Sequence, residues 1–184
     1  MVFFLEEPSA KEMLKGVLPR LLPEIEFICI VFEGKQDLEK QLVRRLRHWN
    51  KPNSVFLVMR DQDQGNCMDI KKRLQDLCRE AGKPETLVRI ACHELESFYL
   101  GDLNAVENGL GLFNIAKNQR KKKFRDPDNN TNYPSVVLED LTGGTYQKVM
   151  GSRSIAPHLS IDENVNTSHS FNELLSGIKK LVQT

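Results

Sequence analysis

The chain has 184 residues, 40% of them hydrophobic, which is enough to form one packed domain. Its 26 basic and 25 acidic residues nearly cancel, so net charge points to no class of partner and only a local patch can indicate nucleic acid. The four cysteines form no Cys-x-x-Cys pair, which argues against a zinc knuckle and a disulfide framework.

The N-terminal segment and the apolar runs favour a cytoplasmic protein without a membrane span. The first ten residues lack the basic leader of a signal peptide, and Glu6 and Glu7 interrupt their apolar run. The longest apolar runs, such as FICIVF at 27–32, supply about a third of the ~20 residues that a bilayer span requires.

Apolar runs alternate with amphipathic segments along the first hundred residues. Strands are predicted over 2–6, 25–32, 54–59 and 86–94. Helices are predicted over 9–23, 37–49 and 68–82, with Ser9 capping the first and Gly82 ending the third. The strands are apolar throughout rather than alternating, so this order predicts an α/β fold with a mainly parallel sheet of about four strands flanked by helices.

The composition changes after residue 112. Residues 114–135 are polar and contain two prolines, and short helices are predicted near 134–141 and 170–182. We interpret residues 1–112 as an α/β core and residues 113–184 as a mixed helical and loop extension packed on the same domain.

Acidic residues follow three of the predicted strands. The first strand ends at Glu6 and Glu7, the third runs into Asp61 and Asp63, and the fourth ends at Glu94 with Glu96 just beyond. Because the carboxyl ends of parallel strands meet at one edge, we expect these groups in one crevice, with Asp61 and Asp63 on the same face. Clustered carboxylates either share a proton or recruit a cation, and oxygen ligands without His or Cys favour Mg²⁺ or Mn²⁺. A simpler interpretation, in which each Asp caps a turn, stays open.

A second pattern is basic. Clustered Lys and Arg side chains can neutralise phosphates, although a solvated loop is the commoner explanation for such a run. The candidate nucleic-acid contacts are Lys117, Arg120, Lys121, Lys122, Lys123 and Arg125, together with Lys148 further along the chain.

A strand-end glutamate followed by a helix, with a later Asp-x-Asp at another strand end, resembles the TOPRIM fold of topoisomerases, primases and overcoming-lysogenization-defect nucleases. More closely, the chain is similar to a bacterial TOPRIM-like family of unknown function akin to RloB. The similar segments are LEEPSAKEMLKGVLPRLLP at 5–23, VMRDQDQGNC at 58–67, ACHELESFYLGDLNAV at 91–106, KFRDPD at 123–128 and SFNELL at 170–175.

The resemblance implies a Mg²⁺-dependent phosphoryl-transfer centre. In it, Glu6 acts as general acid or base or joins the metal shell, Asp61 and Asp63 hold the cation, and Glu96 and Glu94 are further acidic members. It also implies a nuclease acting on DNA or RNA, working with a partner ATPase in phage defence.

Two alternatives stay open. The glycine that usually follows the first glutamate of that fold is Glu7 here, which favours a catalytically degenerate module that binds an ATPase or nucleic acid without hydrolysis. The Asp-x-Asp sequence is also found in metal-dependent transferases that act on nucleotide-linked substrates.

Overall fold

The computed structural model describes residues 1–163 and 165–183, and within them the chain forms an all-parallel four-stranded sheet flanked by helices. The predicted α/β class is therefore confirmed. The strands, in the spatial order β2-β1-β3-β4, are β1 (Val2–Leu5), β2 (Ile28–Val31), β3 (Phe56–Asp61) and β4 (Leu87–Ala91).

The helices of the described residues are short. They are α1 (Pro8–Leu21), α2 (Lys35–Arg47), α3 (Cys67–Glu80), α4 (Glu96–Leu100), α5 (Leu103–Leu110), α6 (Lys122–Arg125), α7 (Pro127–Asn130), α8 (Pro134–Leu141), α9 (Lys148–Ile155) and α10 (His169–Leu181), with 3₁₀ turns at Ala116–Arg120 and Ala156–His158. None of them combines the length and the apolar character that a membrane crossing requires.

The first helix begins earlier than predicted. Its cap is Glu7, Pro8 occupies the first turn, and the Ser9 hydroxyl donates a hydrogen bond to the Glu7 carboxylate instead of capping the helix itself. A proline suits this position because the first N–H groups of a helix have no intrahelical partner. The consequence is that the Glu7 side chain is held at the start of α1, two residues after β1.

The two central strands, β1 and β3, bury both of their faces, which explains why they lack polar alternation, whereas the edge strand β2 is partly exposed. Phe3 and Leu57 belong to the core shared with α1, α5 and α10, whereas Phe4 and Val58 belong to the core shared with α2 and α3. Successive side chains of a strand point to opposite faces. The same alternation decides which side of the sheet each residue at the strand ends occupies.

The region after residue 112 packs into the first of these cores. Phe124, Ile155 and Phe171 are fully buried in it together with the residues of α1 and α5. A Cβ built on Gly16 of α1 would lie 2.6 Å from the Ala156 side chain. Helix α1 and the segment after α9 therefore touch closely enough to require glycine at this position.

Candidate functional site

The parallel register of β1 and β3 determines which acids meet at the carboxyl edge. Leu5 pairs with Met59, so the next residues along the two strands bring Glu6 level with Arg60 and Glu7 level with Asp61. Because Asp61 and Arg60 lie on opposite faces of β3, the acids divide into two sets. The carboxylate crevice contains Asp61, Glu7 and Glu96 with Lys148, and the arginine cluster contains Arg60 with Glu6, Glu39 and Asp63.

Asp61 is the most constrained acid of the carboxylate crevice. It is the last residue of β3 and only 7% exposed, and within the described residues its carboxylate makes no hydrogen bond or close ion pair. Burial raises the pKa of Asp61 well above its usual range, and the carboxylates of Glu7, Glu96 and Glu6 raise it further, while Lys148 opposes them. The negative form of Asp61 is therefore unstable unless a cation approaches it.

Glu96 contributes a second buried carboxylate. It is the first residue of α4 and is 0% exposed, and its Oε1 accepts a 2.8 Å hydrogen bond from the Tyr146 hydroxyl. Among the described residues, its Oε2 has no hydrogen-bond partner although it is buried, and the same holds for the hydroxyl of the neighbouring Tyr99. Burial raises the pKa of Glu96, against the effects of Lys148 and the Tyr146 hydroxyl. Unpartnered buried oxygens mark a place where a further ligand would be stabilised.

Lys148 supplies the positive charge of this crevice. Its Nζ lies 3.3 Å from Oε2 of Glu7, and its side chain is 49% exposed. Partial burial lowers the pKa of Lys148, but the carboxylates of Glu96, Glu7 and Asp61 outweigh that effect and raise it above its usual value. Lys148, predicted from the sequence to contact nucleic acid, therefore faces three carboxylates.

Glu6 and Asp63 belong to the arginine cluster. Arg60 is 5% exposed and lies 2.9 Å from Glu39, 3.7 Å from Glu6 and 3.5 Å from Asp63, and Asp63 also pairs with Lys35 at 2.7 Å. Oε2 of Glu6 additionally accepts a 3.1 Å hydrogen bond from the backbone N–H of Asp61. Glu6 therefore fixes the end of β3 from the opposite side of the sheet.

The expectation that Asp61 and Asp63 share a face is wrong. Strand β3 ends at Asp61, and Asp63 adopts a left-handed conformation with a φ of 54°. The rule that residues two apart share a face applies only to extended chain. His93 after β4 is also left-handed, with a φ of 58°, and its carbonyl accepts a 2.7 Å hydrogen bond from the Asp63 N–H. These two turns direct Asp63 away from Asp61.

Glu94 has a different role from the other predicted acids. Its Oε2 accepts a 2.7 Å hydrogen bond from the backbone N–H of Ser135, in the first turn of α8. The carboxylate therefore satisfies one of the N–H groups that a helix start leaves without an intrahelical partner.

The basic run at 117–125 lies on the surface beside α5. Its six cations are exposed, and none forms an ion pair with a carboxylate of the described residues. Arg125 donates to the Arg120 carbonyl at 2.8 Å, and Lys123 lies 4.9 Å above the Phe124 ring. These side chains remain available to phosphates.

The carboxylate crevice suits a hard cation in its chemistry but is not assembled as a coordination shell. All of its donors are oxygens, and two of its carboxylates are buried. Across residues 1–163 and 165–183, however, no three His, Cys, Asp or Glu side chains are arranged to hold a metal ion. Lys148 balances part of the charge instead.

Sequence patterns missed Tyr146 and Tyr99 as members of this site. The patterns placed Glu7 with Glu6 among the acids of the crevice but chose Glu6 as the candidate ligand, although the register of two adjacent parallel strands places Glu7 beside Asp61. The two tyrosines reach the crevice through the packing of α4 against the region that follows α8. No local pattern carries that information.

The sequence model of a family described as Domain of unknown function (DUF4276) matches residues 5–179. This range covers most of the chain and includes every residue of the carboxylate crevice, of the arginine cluster and of the basic run. Neither a curated protein nor a solved structure matches the chain.

Proposed function

The chain belongs to the DUF4276 family, and we propose that it is a divalent-metal-dependent phosphodiesterase of the nuclease type. The observation that carries the proposal is the state of Asp61, a buried carboxylate at the carboxyl edge of a parallel sheet whose pKa is raised by burial and by three other carboxylates. Such a group is costly to keep ionised, and a site that retains it is a functional candidate.

Asp61, Glu7 and Glu96 are the residues that would hold Mg²⁺ or Mn²⁺. When bound, such cations activate water and neutralise the developing charge of a phosphodiester. Lys148 is 3.3 Å from Glu7 and half-exposed, so its ammonium can pair with a phosphate of the substrate at the same crevice. Glu6 holds the backbone of Asp61 in place through its hydrogen bond to the N–H, and its role as general acid or base stays a prediction.

Two further features support a nucleic-acid substrate. The exposed cations at 117–125 can neutralise phosphates. Strand β1 pairs directly with β3, as the TOPRIM resemblance requires of the strand that carries the first glutamate. The partner ATPase and the role in phage defence that the same resemblance implies stay predictions.

A second candidate function is binding without hydrolysis. It is favoured by Lys148, which already supplies a positive charge to the carboxylates of Glu96, Glu7 and Asp61. If this internal cation cannot be displaced, the crevice has no need of a metal, and the protein would bind nucleic acid or an ATPase through its surface.

Incubation of the purified chain with labelled single-stranded DNA, duplex DNA and RNA, with and without Mg²⁺ or Mn²⁺, tests the first proposal. We expect metal-dependent cleavage that falls on the order of 10²-fold in Asp61→Asn. The matched control is Asp76→Asn, since Asp76 is an exposed acid of α3 that pairs with Arg79, and it should cleave like the wild type. Equal cleavage by Asp61→Asn would overturn the proposal, and absence of cleavage together with absence of Mn²⁺ binding would support the second candidate.

A further inference from the structure

One face of α2 carries a row of cations beside the edge strand β2. A groove of about 410 Å³ is lined by Ile30, Arg44, Arg45, His48 and Trp49, and we name it the basic groove. A second depression of about 400 Å³, lined by Asp37, Lys40, Gln41 and Arg44, continues from it along the helix and shares Arg44. Together they follow α2, whose 13 residues span ~20 Å.

Acids balance the cations of the basic groove only in part, through a long-range attraction between Asp37 and Arg45. Arg44 donates to the side-chain oxygen of Gln41, and within the described part of the chain neither Arg44 nor Arg45 forms an ion pair with a carboxylate. Asp37, the acid of the adjoining depression, already accepts from the Glu33 N–H at 3.2 Å and from Gln41 at 2.6 Å.

Other arginines of α2 and α3, by contrast, form ion pairs with acids. Arg47 lies 3.9 Å from Glu80, Arg73 lies 2.8 Å from Glu39, and Arg79 lies 2.8 Å from Asp76. The basic groove is therefore a local excess of positive charge, as a site for an anionic ligand requires.

An aromatic side chain is held rigidly in the same groove. The indole N–H of Trp49 donates a 2.9 Å hydrogen bond to Ser54, and its ring packs edge-on against Phe56 with centroids 6.1 Å apart. Trp49 is partly exposed and lines the groove with Ile30. A fixed aromatic surface beside arginines is the combination that binds nucleic-acid strands, because bases stack on the ring while phosphates pair with the cations.

We propose that the basic groove binds a single strand of nucleic acid, with phosphates at Arg44 and Arg45 and a base against Trp49. The second depression extends the basic groove along α2 toward its first residue, Lys35, which pairs with Asp63 of the arginine cluster. The inference rests on the proposed function in identifying the anion as the substrate strand. An acidic protein segment would use the charges but would leave the apolar surface of Ile30 and Trp49 without a matching partner.

Trp49 is the only tryptophan of the chain, so intrinsic fluorescence reports on this groove. Titration of the full chain with a single-stranded oligonucleotide, in EDTA so that no cleavage occurs, should quench that fluorescence. The test variant is Arg44→Gln/Arg45→Gln, and the control is Lys72→Gln/Arg79→Gln on exposed positions of α3, which makes the same change in net charge. Circular dichroism and the melting temperature establish that both variants are folded.

We expect affinity to fall about tenfold in Arg44→Gln/Arg45→Gln and to stay within about twofold in the control. Loss of two phosphate contacts on a single strand should also lower the slope of log affinity against log salt concentration by about 1.4. Equal affinities for the two double variants, or binding without quenching of Trp49, would overturn the proposal.

Two competitors separate the alternative ligands. Stronger quenching by polyglutamate of matched charge would assign the groove to an acidic protein, and tighter binding of duplex than of single strand would contradict the single-strand assignment. Failure of the proposed hydrolysis is distinguishable, because an oligonucleotide that quenches Trp49 in EDTA but is not cleaved when Mg²⁺ or Mn²⁺ is added would overturn the hydrolysis and leave the groove proposal standing.

Discussion

The ammonium of Lys148 lies 3.3 Å from the carboxylate of Glu7, although 141 positions separate the two residues in the chain. This contact joins the start of α9 to the cap residue of α1 and brings a positive charge to Asp61 and Glu96. Lys148 thus links the C-terminal region to the sheet. It also supplies the internal counter-charge of the carboxylate crevice.

Replacement of Lys148 tests this counter-charge. In Lys148→Met the pKa values of Asp61 and Glu96 should rise further, because the residue that opposes the burial effect is lost. We expect the free energy of unfolding to fall by about 1 kcal/mol at neutral pH, with a smaller loss at acid pH, where these carboxyls are protonated. Lys35→Met, which removes the exposed partner of Asp63, is the control. Melting curves that are identical for Lys148→Met and the wild type at both pH values would contradict this role.

The pH dependence of stability provides a second test. Because the pKa values of Asp61 and Glu96 are raised in the folded protein, their contribution to stability is fully present below the unfolded values of ~4 and is lost as pH rises through the folded values. Asp61→Asn should therefore be the more stable protein at neutral pH, with a difference from the wild type that shrinks as the pH falls.

Glu12 acts in the opposite sense, since its hydrogen bond to Arg153 lowers its pKa, and its contribution is lost as pH falls. The comparison must therefore be the difference between Asp61→Asn and the wild type, measured by urea unfolding across pH ~4.5 to ~8. A difference that is constant across this range would show that Asp61 does not titrate abnormally.

Arg60 supplies the positive charge that compensates the carboxylates of the arginine cluster. Arg60→Met would leave Glu6 and Glu39 as mutually repelling carboxylates beside a buried site. We expect a loss of about 3–5 kcal/mol, since removing one partner of a buried charge network leaves the others uncompensated. Arg79→Met, which breaks an exposed pair with Asp76, should cost at most about 1 kcal/mol. Addition of Glu39→Gln to Arg60→Met should recover part of the loss, and failure to do so would point to packing as the cause.

Gly109 tests whether the region after residue 112 packs tightly on the sheet domain. A Cβ at Gly109 of α5 would lie 2.6 Å from the Cα of Ile155 in α9. Gly109→Ala should therefore cost about 1–3 kcal/mol through overpacking, although alanine favours helix. The neighbouring exposed Asn108→Ala should be neutral or slightly stabilising. Gain of stability in Gly109→Ala, measured by thermal unfolding, would mean that α5 and α9 separate easily.

The fold was accessible from the sequence because four apolar runs separated by amphipathic helices specify a parallel α/β sheet. The arrangement of the residues in the candidate site was not accessible from the sequence. The predicted third strand stopped at residue 59, whereas β3 continues through Asp61, and this places Asp61 within the extended chain and Asp63 in a left-handed turn beyond it.

Glu7 and Tyr146 show a second reason why the sequence does not predict the geometry of the site. The position of Glu7 depends on the register between β1 and β3, and that of Tyr146 depends on how a segment fifty residues from Glu96 folds back against α4. Both are tertiary relationships, which hydrophobic periodicity does not encode. The positions of Glu94 and of the basic run likewise depend on where α8 and α5 pack.

Manganese binding, followed by electron paramagnetic resonance of the free ion, tests the central claim most directly. The wild type should bind Mn²⁺, and Asp61→Asn should lose affinity by about tenfold or more, because Asp61 lies with Glu7 and Glu96 in the carboxylate crevice. Asp63→Asn should bind nearly as the wild type does, since Asp63 pairs with Lys35 and Arg60 instead. Full affinity in Asp61→Asn together with lost affinity in Asp63→Asn, or the absence of Mn²⁺ binding by the wild type, would contradict the account.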